Sequence, residues 1–169
     1  MKKRLISLAL LSTLSASTIA ADATFTATVN AISDAAIAQT TALHFGAMQP
    51  SVGAACTMSD AGVVSGACDA ANANIAIGLI TVSGLTANVP LNVTVTGVPG
   101  TNVTFEPTFD INGAAAASDA NPEATAIAIT TNSSGDNLLL DVYGVMTVTT
   151  ALTPGDSYTS DYVVDVSFQ

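Results

Sequence analysis

The chain alternates apolar and polar residues without interruption through ADATFTATVNA, residues 21–31. Successive side chains of a β-strand point to opposite faces, so this alternation predicts an extended strand with one apolar face. The segment contains no Gly or Pro, and AISDA at residues 31–35 offers no tight-turn sequence that would fold the strand back as a hairpin. The predicted apolar face consists of Ala23, Phe25, Ala27, Val29 and Ala31.

The segment that precedes this strand has the composition of a secretory leader. Lys2, Lys3 and Arg4 are the only Lys or Arg residues of the chain, and a short apolar stretch and small residues follow them up to Ala20. This arrangement predicts a signal peptide over residues 1–20, with an apolar stretch too short to span a bilayer. Cleavage after Ala20 would leave 169 − 20 = 149 residues with 13 acidic residues and no Lys or Arg. The sequence therefore predicts an exported, acidic domain without membrane insertion.

The charge and residue types of the mature chain argue against several functions. Nucleic-acid binding requires cations that neutralise phosphates, and the mature chain has none from Lys or Arg. The only histidine, His44, falls in a predicted strand, where a structural role is the preferred interpretation. No nucleophile elbow or phosphate-cradling Gly motif is present. We therefore predict no enzyme, no catalytic residue and no cofactor.

One acidic segment has a pattern that partly matches a calcium site. Asp110-Ile111-Asn112-Gly113 is similar to the opening of a calcium loop, and Asp119 and Glu123 follow it. The spacing does not match an EF-hand, so a solvated acidic loop is the preferred interpretation and no metal site is predicted.

The two cysteines, Cys56 and Cys68, are predicted to form a disulfide because export places them in an oxidising compartment. The bond would close a loop of 68 − 56 + 1 = 13 residues, worth roughly 3 kcal/mol in the loop-entropy model. A metal site is the alternative, but two cysteines without a nearby histidine supply too few ligands.

The remainder of the chain predicts about eight or nine short strands with turn signals between them. Residues 112–123 are expected to form the longest loop, Pro107 to mark a strand edge or bulge, and Gly144 to break or bulge a strand. This pattern predicts an all-β antiparallel sandwich over residues 36–169. The predicted strands cover residues 37–45, 75–82, 89–96, 103–111, 124–131, 138–143, 145–150 and 158–168.

The order of several motifs resembles the DUF4402 family of secreted, pilin-like bacterial proteins, which are similar in style to chaperone–usher pilins and spore-coat U proteins. The disulfide insertion and the lack of basic residues depart from the family pattern. The matching pieces are ADATFTATV at the start, ALHFG at 42–46, ITVSG at 80–84 with NVPLNVTV after it, YGVMTV at 143–148 and GDSYTSDYVVDVSFQ at 155–169.

The resemblance implies an immunoglobulin-like sandwich that polymerises by donor-strand exchange into an extracellular filament on the bacterial surface, exported through the periplasm. Neighbouring subunits would be the main partners, with a periplasmic chaperone and an outer-membrane usher in assembly. The arm and its linker would cover residues 21–35. The inserted side chains would be Phe25, Ala27, Val29 and Ala31, and the C-terminal assembly strand would carry Tyr162, Val164, Val166 and Phe168.

Two other interpretations stay open at this point. The segment 22–31 could be the first strand of its own sheet, in a monomeric secreted or surface-attached adhesin or carbohydrate-binding module. Sugar sites usually expose aromatic residues, and the absence of Trp counts against that interpretation. A secreted enzyme is the more remote alternative, because the chemical groups it would need are missing.

Overall fold

Ten antiparallel strands make up the part of the chain that the computed structural model describes, residues 35–169. No helix that could cross a membrane occurs in this part of the chain. The predicted signal peptide and the inserted residues Phe25, Ala27, Val29 and Ala31 lie outside the described residues. The strands are β1 (Ala36–Thr41), β2 (Ala55–Met58), β3 (Val64–Gly66), β4 (Gly78–Ser83), β5 (Pro90–Val98), β6 (Val103–Gly113), β7 (Ser118–Pro122), β8 (Ile127–Thr130), β9 (Leu138–Val148) and β10 (Asp161–Phe168).

The strands form two sheets, of seven and three strands. In the larger sheet, β9 pairs along its whole length with β6, and on its other side with β4 in its first half and β2 in its second half. The strands β1, β3 and β7 extend this sheet from β4, β2 and β6. The smaller sheet has the order β10-β5-β8. The predicted all-β antiparallel sandwich is confirmed, and its arrangement is compatible with an immunoglobulin-like fold.

The core lies between the two sheets because each central strand alternates buried and less buried residues. Along β5, Leu91, Val93 and Val95 face the larger sheet and are at most 1% exposed. Burial of such side chains contributes about 1.5–3 kcal/mol each relative to exposure, before ordering costs. The opposing side chains of the larger sheet are Ile80, Val82, Phe105, Phe109, Ile111, Leu138, Leu140 and Val142.

Two ends of the sandwich can be distinguished. At one end, which we call the upper end, β5 turns into β6, β9 ends and β10 begins. At the lower end β1 begins, β6 ends and β10 ends. The turn at residues 99–102 joins the two sheets at the upper end, with the Gly100 amide donating to the Val103 carbonyl at 3.0 Å.

Several elements differ from the sequence prediction: the strand predicted over residues 37–45 ends at Thr41, and the strand predicted over 158–168 begins at Asp161. Residues 112–123 are not one long loop, because β6 continues to Gly113 and β7 pairs with it. The strand β7 has no apolar alternation of its own, and Asn121 attaches it by donating to the carbonyl oxygens of Phe109 and Ser118 at 3.0 and 2.9 Å. Gly144 does not break the chain into two strands, because β6 pairs with β9 on both sides of it. At Pro107, β6 pairs only with β9, so the predicted edge position is confirmed there.

The predicted disulfide between Cys56 and Cys68 is present, with Cα atoms 5.2 Å apart. It closes the β2–β3 hairpin, whose turn contains Gly62. The hairpin in turn pairs with the segment around Met48: the Gln49 amide donates to the Ala67 carbonyl at 2.9 Å, and the Asp69 amide to the Ala47 carbonyl at 2.8 Å. The covalent bond therefore fixes the segment that leads from β1 into the upper part of the sandwich.

Candidate strand-binding groove

One side of the sandwich ends in two strands that do not pair with each other. Among the described residues, β1 pairs only with β4, and β10 pairs only with β5. The two strands belong to different sheets, and each leaves one edge of backbone N–H and C=O groups without a ladder partner from a described strand. Such edges are templates for pairing with a further extended segment.

A groove of about 1290 Å³ runs between these two edges. The larger sheet contributes Ile37 and Gln39 of β1, followed by Leu43 and Phe45, and β10 contributes Tyr162 and Val164. Ile37 lies opposite the buried Val82 on the core face of the sheet, yet it is 46% exposed. An apolar side chain on a core-facing position with this exposure shows that the sandwich is incompletely covered on this side.

Aromatic rings form the floor of the groove in its upper half. The rings of Phe45 and Tyr162 each meet Phe105 edge-to-face, with centroids 5.6 and 5.8 Å apart. Gln39 spans from β1 to β10 by donating from Nε2 to the Tyr162 hydroxyl at 3.2 Å. Burial raises the pKa of Tyr162, so this hydroxyl stays protonated at neutral pH. Because both side chains point to the core side, an inserted strand would lie over this bridge.

The upper end of the groove is lined by the loop at residues 152–160. The loop is held in place by hydrogen bonds from the Leu152 amide to the Pro50 carbonyl at 2.9 Å and from the Thr153 amide to the Tyr158 hydroxyl at 2.8 Å. Ser160 joins it to both sheets, accepting from the Phe105 amide and donating to the Val98 carbonyl. At the lower end, Phe168 faces the core side beside Leu91 but is 42% exposed.

The rim of the groove carries little positive charge. His44 lines it, and its Nδ1 accepts a hydrogen bond from the Gly46 amide at 2.8 Å. The backbone of His44 exchanges two hydrogen bonds with Ala76 in an isolated bridge, so His44 lies after the end of β1 rather than within the predicted strand. Asp156 and Asp161 line the upper end. The groove therefore suits an apolar segment and offers no anion-binding cluster.

The C-terminal strand predicted from the sequence lies on the groove. Tyr162, Val164, Val166 and Phe168 occupy alternate positions on the core face of β10, opposite Gly97, Val95, Val93 and Leu91 of β5. Their neighbours Val93 and Val95 are fully buried, but Tyr162, Val164 and Val166 are only partly buried. Burial thus decreases from β5 to β10 because no described strand covers the outer side of β10.

The other wall of the groove was not predicted. Its residues Ile37, Gln39 and Leu43 sit in a segment whose two faces are both mixed in polarity, and all six residues of β1 are exposed or only partly buried. Residues 158–160 of the loop at 152–160 were predicted to belong to the last strand, which begins only at Asp161. The consecutive polar residues Gln39, Thr40 and Thr41 put polar side chains on both faces of β1, and a strand without a continuous apolar face is typical of a sheet edge.

A second cluster of polar groups lies on the outer face of the larger sheet. Asp110 and Asp141 are direct cross-strand partners on β6 and β9. The Asp110 carboxylate accepts from the Tyr143 hydroxyl at 2.8 Å and from the Ala120 amide at 2.6 Å. Burial, together with the hydrogen bond to this carboxylate, raises the pKa of Tyr143. The calcium-loop pattern at residues 110–113 is therefore part of a strand, and Asp110 is only 8% exposed rather than solvated.

This carboxylate pair predicts a stability that depends on pH. Burial, and then the charge of Asp110, raises the pKa of Asp141. The folded state disfavours the ionised form of Asp141, and this lowers the free energy of unfolding when Asp141 is ionised. The loss of stability is absent below the unfolded pKa of about 3.8–3.9 and complete above the raised pKa of the folded state. We expect Asp141→Asn to stabilise the protein at pH 7 by roughly 0.2–1 kcal/mol, the range for directly opposed cross-strand pairs.

The measurement is urea unfolding of both proteins at pH 7 and at pH 3. The added stability of Asp141→Asn should disappear at pH 3. The Asn112 side chain lies 3.5 Å from the Asp141 carboxyl and can still donate to the amide oxygen that replaces it. A gain of equal size at both pH values would show that charge repulsion is not its cause.

Within residues 35–169, no group of three or more His, Cys, Asp or Glu side chains could hold a metal ion.

No family model matches the chain, and no curated protein or solved structure matches it. The resemblance to DUF4402 proteins therefore stays a prediction from the quoted motifs.

Proposed function

We propose that this protein is the structural subunit of an extracellular bacterial filament that polymerises by donor-strand exchange. The arm at residues 22–31 of one subunit would fill the groove between β1 and β10 of the next. Secretion through the periplasm, with a chaperone and an usher as assembly partners, belongs to the same proposal. The observation that supports it is the groove itself, which has aromatic rings in its floor and lies between two strand edges that pair with no described strand on that side.

The length and pattern of the arm suit this groove. Ten extended residues span about 33 Å, and the eight residues of β10 span about 26 Å, at roughly 3.3 Å per residue. The arm therefore covers the full length of β10. Its strict alternation would direct one apolar face to the groove floor and one polar face to solvent.

Strand insertion would supply both kinds of contact that the groove lacks. Backbone hydrogen bonds to the edges of β1 and β10 give affinity, and alternate side chains give register. Burying Phe25 and Val29 would contribute about 3–6 kcal/mol before ordering costs. The four inward positions Phe25, Ala27, Val29 and Ala31 would face the four inward positions of β10.

The connection between the arm and β1 favours exchange over self-pairing. Residues 31–35 contain none of the Asn-Gly, Asp-Gly or Gly-Gly sequences that close short hairpins. An arm that extends away from its own subunit can instead reach a neighbour. Because the donated arm and the receiving groove are different surfaces, the contact is heterologous, and repeated contacts of this kind produce open fibres.

The test uses a matched pair of charge substitutions in the arm. Phe25→Asp places a carboxylate against the apolar groove, and we expect filaments to disappear because affinity falls at least roughly 100-fold, the equivalent of about 3 kcal/mol. Thr26→Asp adds the same charge on the solvent face, and we expect filaments to persist. Negative-stain microscopy and size-exclusion chromatography of the exported, mature proteins provide the measurement.

The same pair distinguishes the self-paired alternative. If the arm completes its own subunit, Phe25→Asp lowers the melting temperature of a monomer, and wild-type protein elutes as a monomer without filaments. If the arm is exchanged, Phe25→Asp yields a folded monomer with the intact disulfide. Filaments that form equally well from both variants would refute donor-strand exchange.

A further inference from the structure

We infer that the Cys56–Cys68 disulfide is a redox switch for the groove: the oxidised bond holds one groove wall in place, and its reduction releases that wall while the sandwich stays folded. The switch rests on the strand insertion proposed above and regulates the same groove. It would restrict arm binding to an oxidising compartment, because reducing compartments keep thiols unpaired.

Backbone hydrogen bonds join the disulfide to the wall of the groove. On one side of Cys68, the Ala67 carbonyl accepts from the Gln49 amide at 2.9 Å. On the other side, the Asp69 amide donates to the Ala47 carbonyl at 2.8 Å. Ala47 lines the groove, so the wall is held by the two residues that flank the disulfide.

Further contacts extend this connection on both sides of the bond. The Pro50 carbonyl accepts from the Leu152 amide at 2.9 Å, so the loop at residues 152–160 is attached to the segment that the disulfide holds. Cys56 lies directly opposite Met146 of β9. Pro50, Leu152 and Met146 all line the groove. Loosening of the disulfide segment would therefore reach the groove from both cysteines.

Few other contacts hold the segment around Cys68. Between β3 and β4 the chain forms no further strand and has only two isolated bridges, at Cys68 and Ala76. The Ala67 amide donates to the Ala55 carbonyl at 2.8 Å and so joins the segment to β2. Segments with few apolar contacts and exposed backbone hydrogen bonds open locally at a low cost in free energy. We therefore expect reduction to open this segment.

The core of the sandwich does not depend on the same contacts. Val93 of β5 and Phe109 of β6 are fully buried between the two sheets, and their strands pair with neither β2 nor β3. Loss of the disulfide should thus leave the two sheets packed together. This difference between the segment and the core makes a switch of the groove possible without unfolding.

The disulfide can be reached from the surface. A pocket of about 220 Å³ is lined by Cys68, which is only partly buried, whereas Cys56 is fully buried. A thiolate of a small dithiol would form a bond to the Cys68 sulfur, breaking the disulfide and releasing Cys56, which takes up a proton. The second thiol of the reagent then displaces Cys68, so the protein gains two thiols and the dithiol becomes a cyclic disulfide.

The first test measures binding of a synthetic arm peptide, residues 21–31, to Phe25→Asp protein before and after reduction with dithiothreitol. We expect binding to weaken by about tenfold or more on reduction, while the circular dichroism spectrum stays that of a β-sandwich. Hydrogen exchange should become faster at the Gln49 and Asp69 amides but not in β6.

Ile111→Ala, with its disulfide intact, is the matched control. Ile111 is fully buried and does not line the groove, so the substitution lowers stability without changing the groove wall. We expect this variant to bind the peptide as tightly as its parent. An equal loss of binding in this variant would show that overall stability, rather than the disulfide, controls the groove.

The switch also works in reverse, because coupling between two sites is reciprocal. Saturating peptide should make the disulfide about tenfold or more harder to reduce at equilibrium, measured by thiol trapping across ratios of reduced to oxidised dithiothreitol. Equal binding to both redox forms would overturn the switch and leave strand insertion intact. Unfolding on reduction would also overturn it, whereas no binding to the oxidised form would refute strand insertion and the switch together.

Discussion

Gly144→Ala is expected to destabilise the protein by at least about 4 kcal/mol, because two independent constraints meet at this buried position. The backbone φ of Gly144 is +135°, a region that residues with a side chain rarely adopt. An added Cβ would overlap the carbonyl oxygen of Glu106 and lie 2.9 Å from the Thr108 nitrogen. Both atoms are backbone of β6, which pairs with β9 on both sides of this point and so resists displacement.

Gly155→Ala is the matched control. Its φ is +95°, but no heavy atom lies within 4 Å of the position that a Cβ would take. We expect a loss of only about 1–2 kcal/mol, the cost of the backbone conformation alone. Urea unfolding in the monomeric Phe25→Asp background measures both variants, and equal losses would contradict the assigned clash with β6.

Phe105→Ala is expected to cost about 3–5 kcal/mol, the range for removing a buried phenylalanine. The side chain is 3% exposed and lies between Phe45 and Tyr162, whose rings it meets edge-to-face. Edge-to-face pairs add about 0.5–1.5 kcal/mol each beyond burial. Because Phe45 and Tyr162 line the groove, the substitution should also loosen its floor and weaken filament assembly in the otherwise wild-type chain.

Phe168→Ala is the control for this substitution. Phe168 is 42% exposed at the lower end of β10, so the loss should stay below about 1 kcal/mol in the monomeric background. Thermal unfolding followed by circular dichroism gives the comparison. A loss for Phe168→Ala that matched the loss for Phe105→Ala would indicate that the lower end is as tightly packed as the aromatic floor.

Local patterns predicted the strands whose own residues alternate. Along β5 and β10 the apolar residues recur at every second position, and the structure places these positions on the core face of the smaller sheet. The disulfide was predictable because only two cysteines exist and their spacing suits a hairpin. In contrast, β7 has no alternation of its own. It is a strand because it forms hydrogen bonds with β6, and this pairing cannot be predicted from the residues of β7 alone.

The alternation of short apolar segments by itself determined that the protein is an antiparallel β-sandwich, because a strand with one apolar face must bury that face against another sheet. Only the tertiary structure decided where the sandwich is left open. That location depends on which of the described strands lie at the edges of the two sheets, and β1 and β10 meet across the groove although they are more than a hundred residues apart in the chain. Pairing between such distant segments is set by the packing of the whole domain, so the partly exposed side chains of Ile37 and Tyr162 become one surface only after folding.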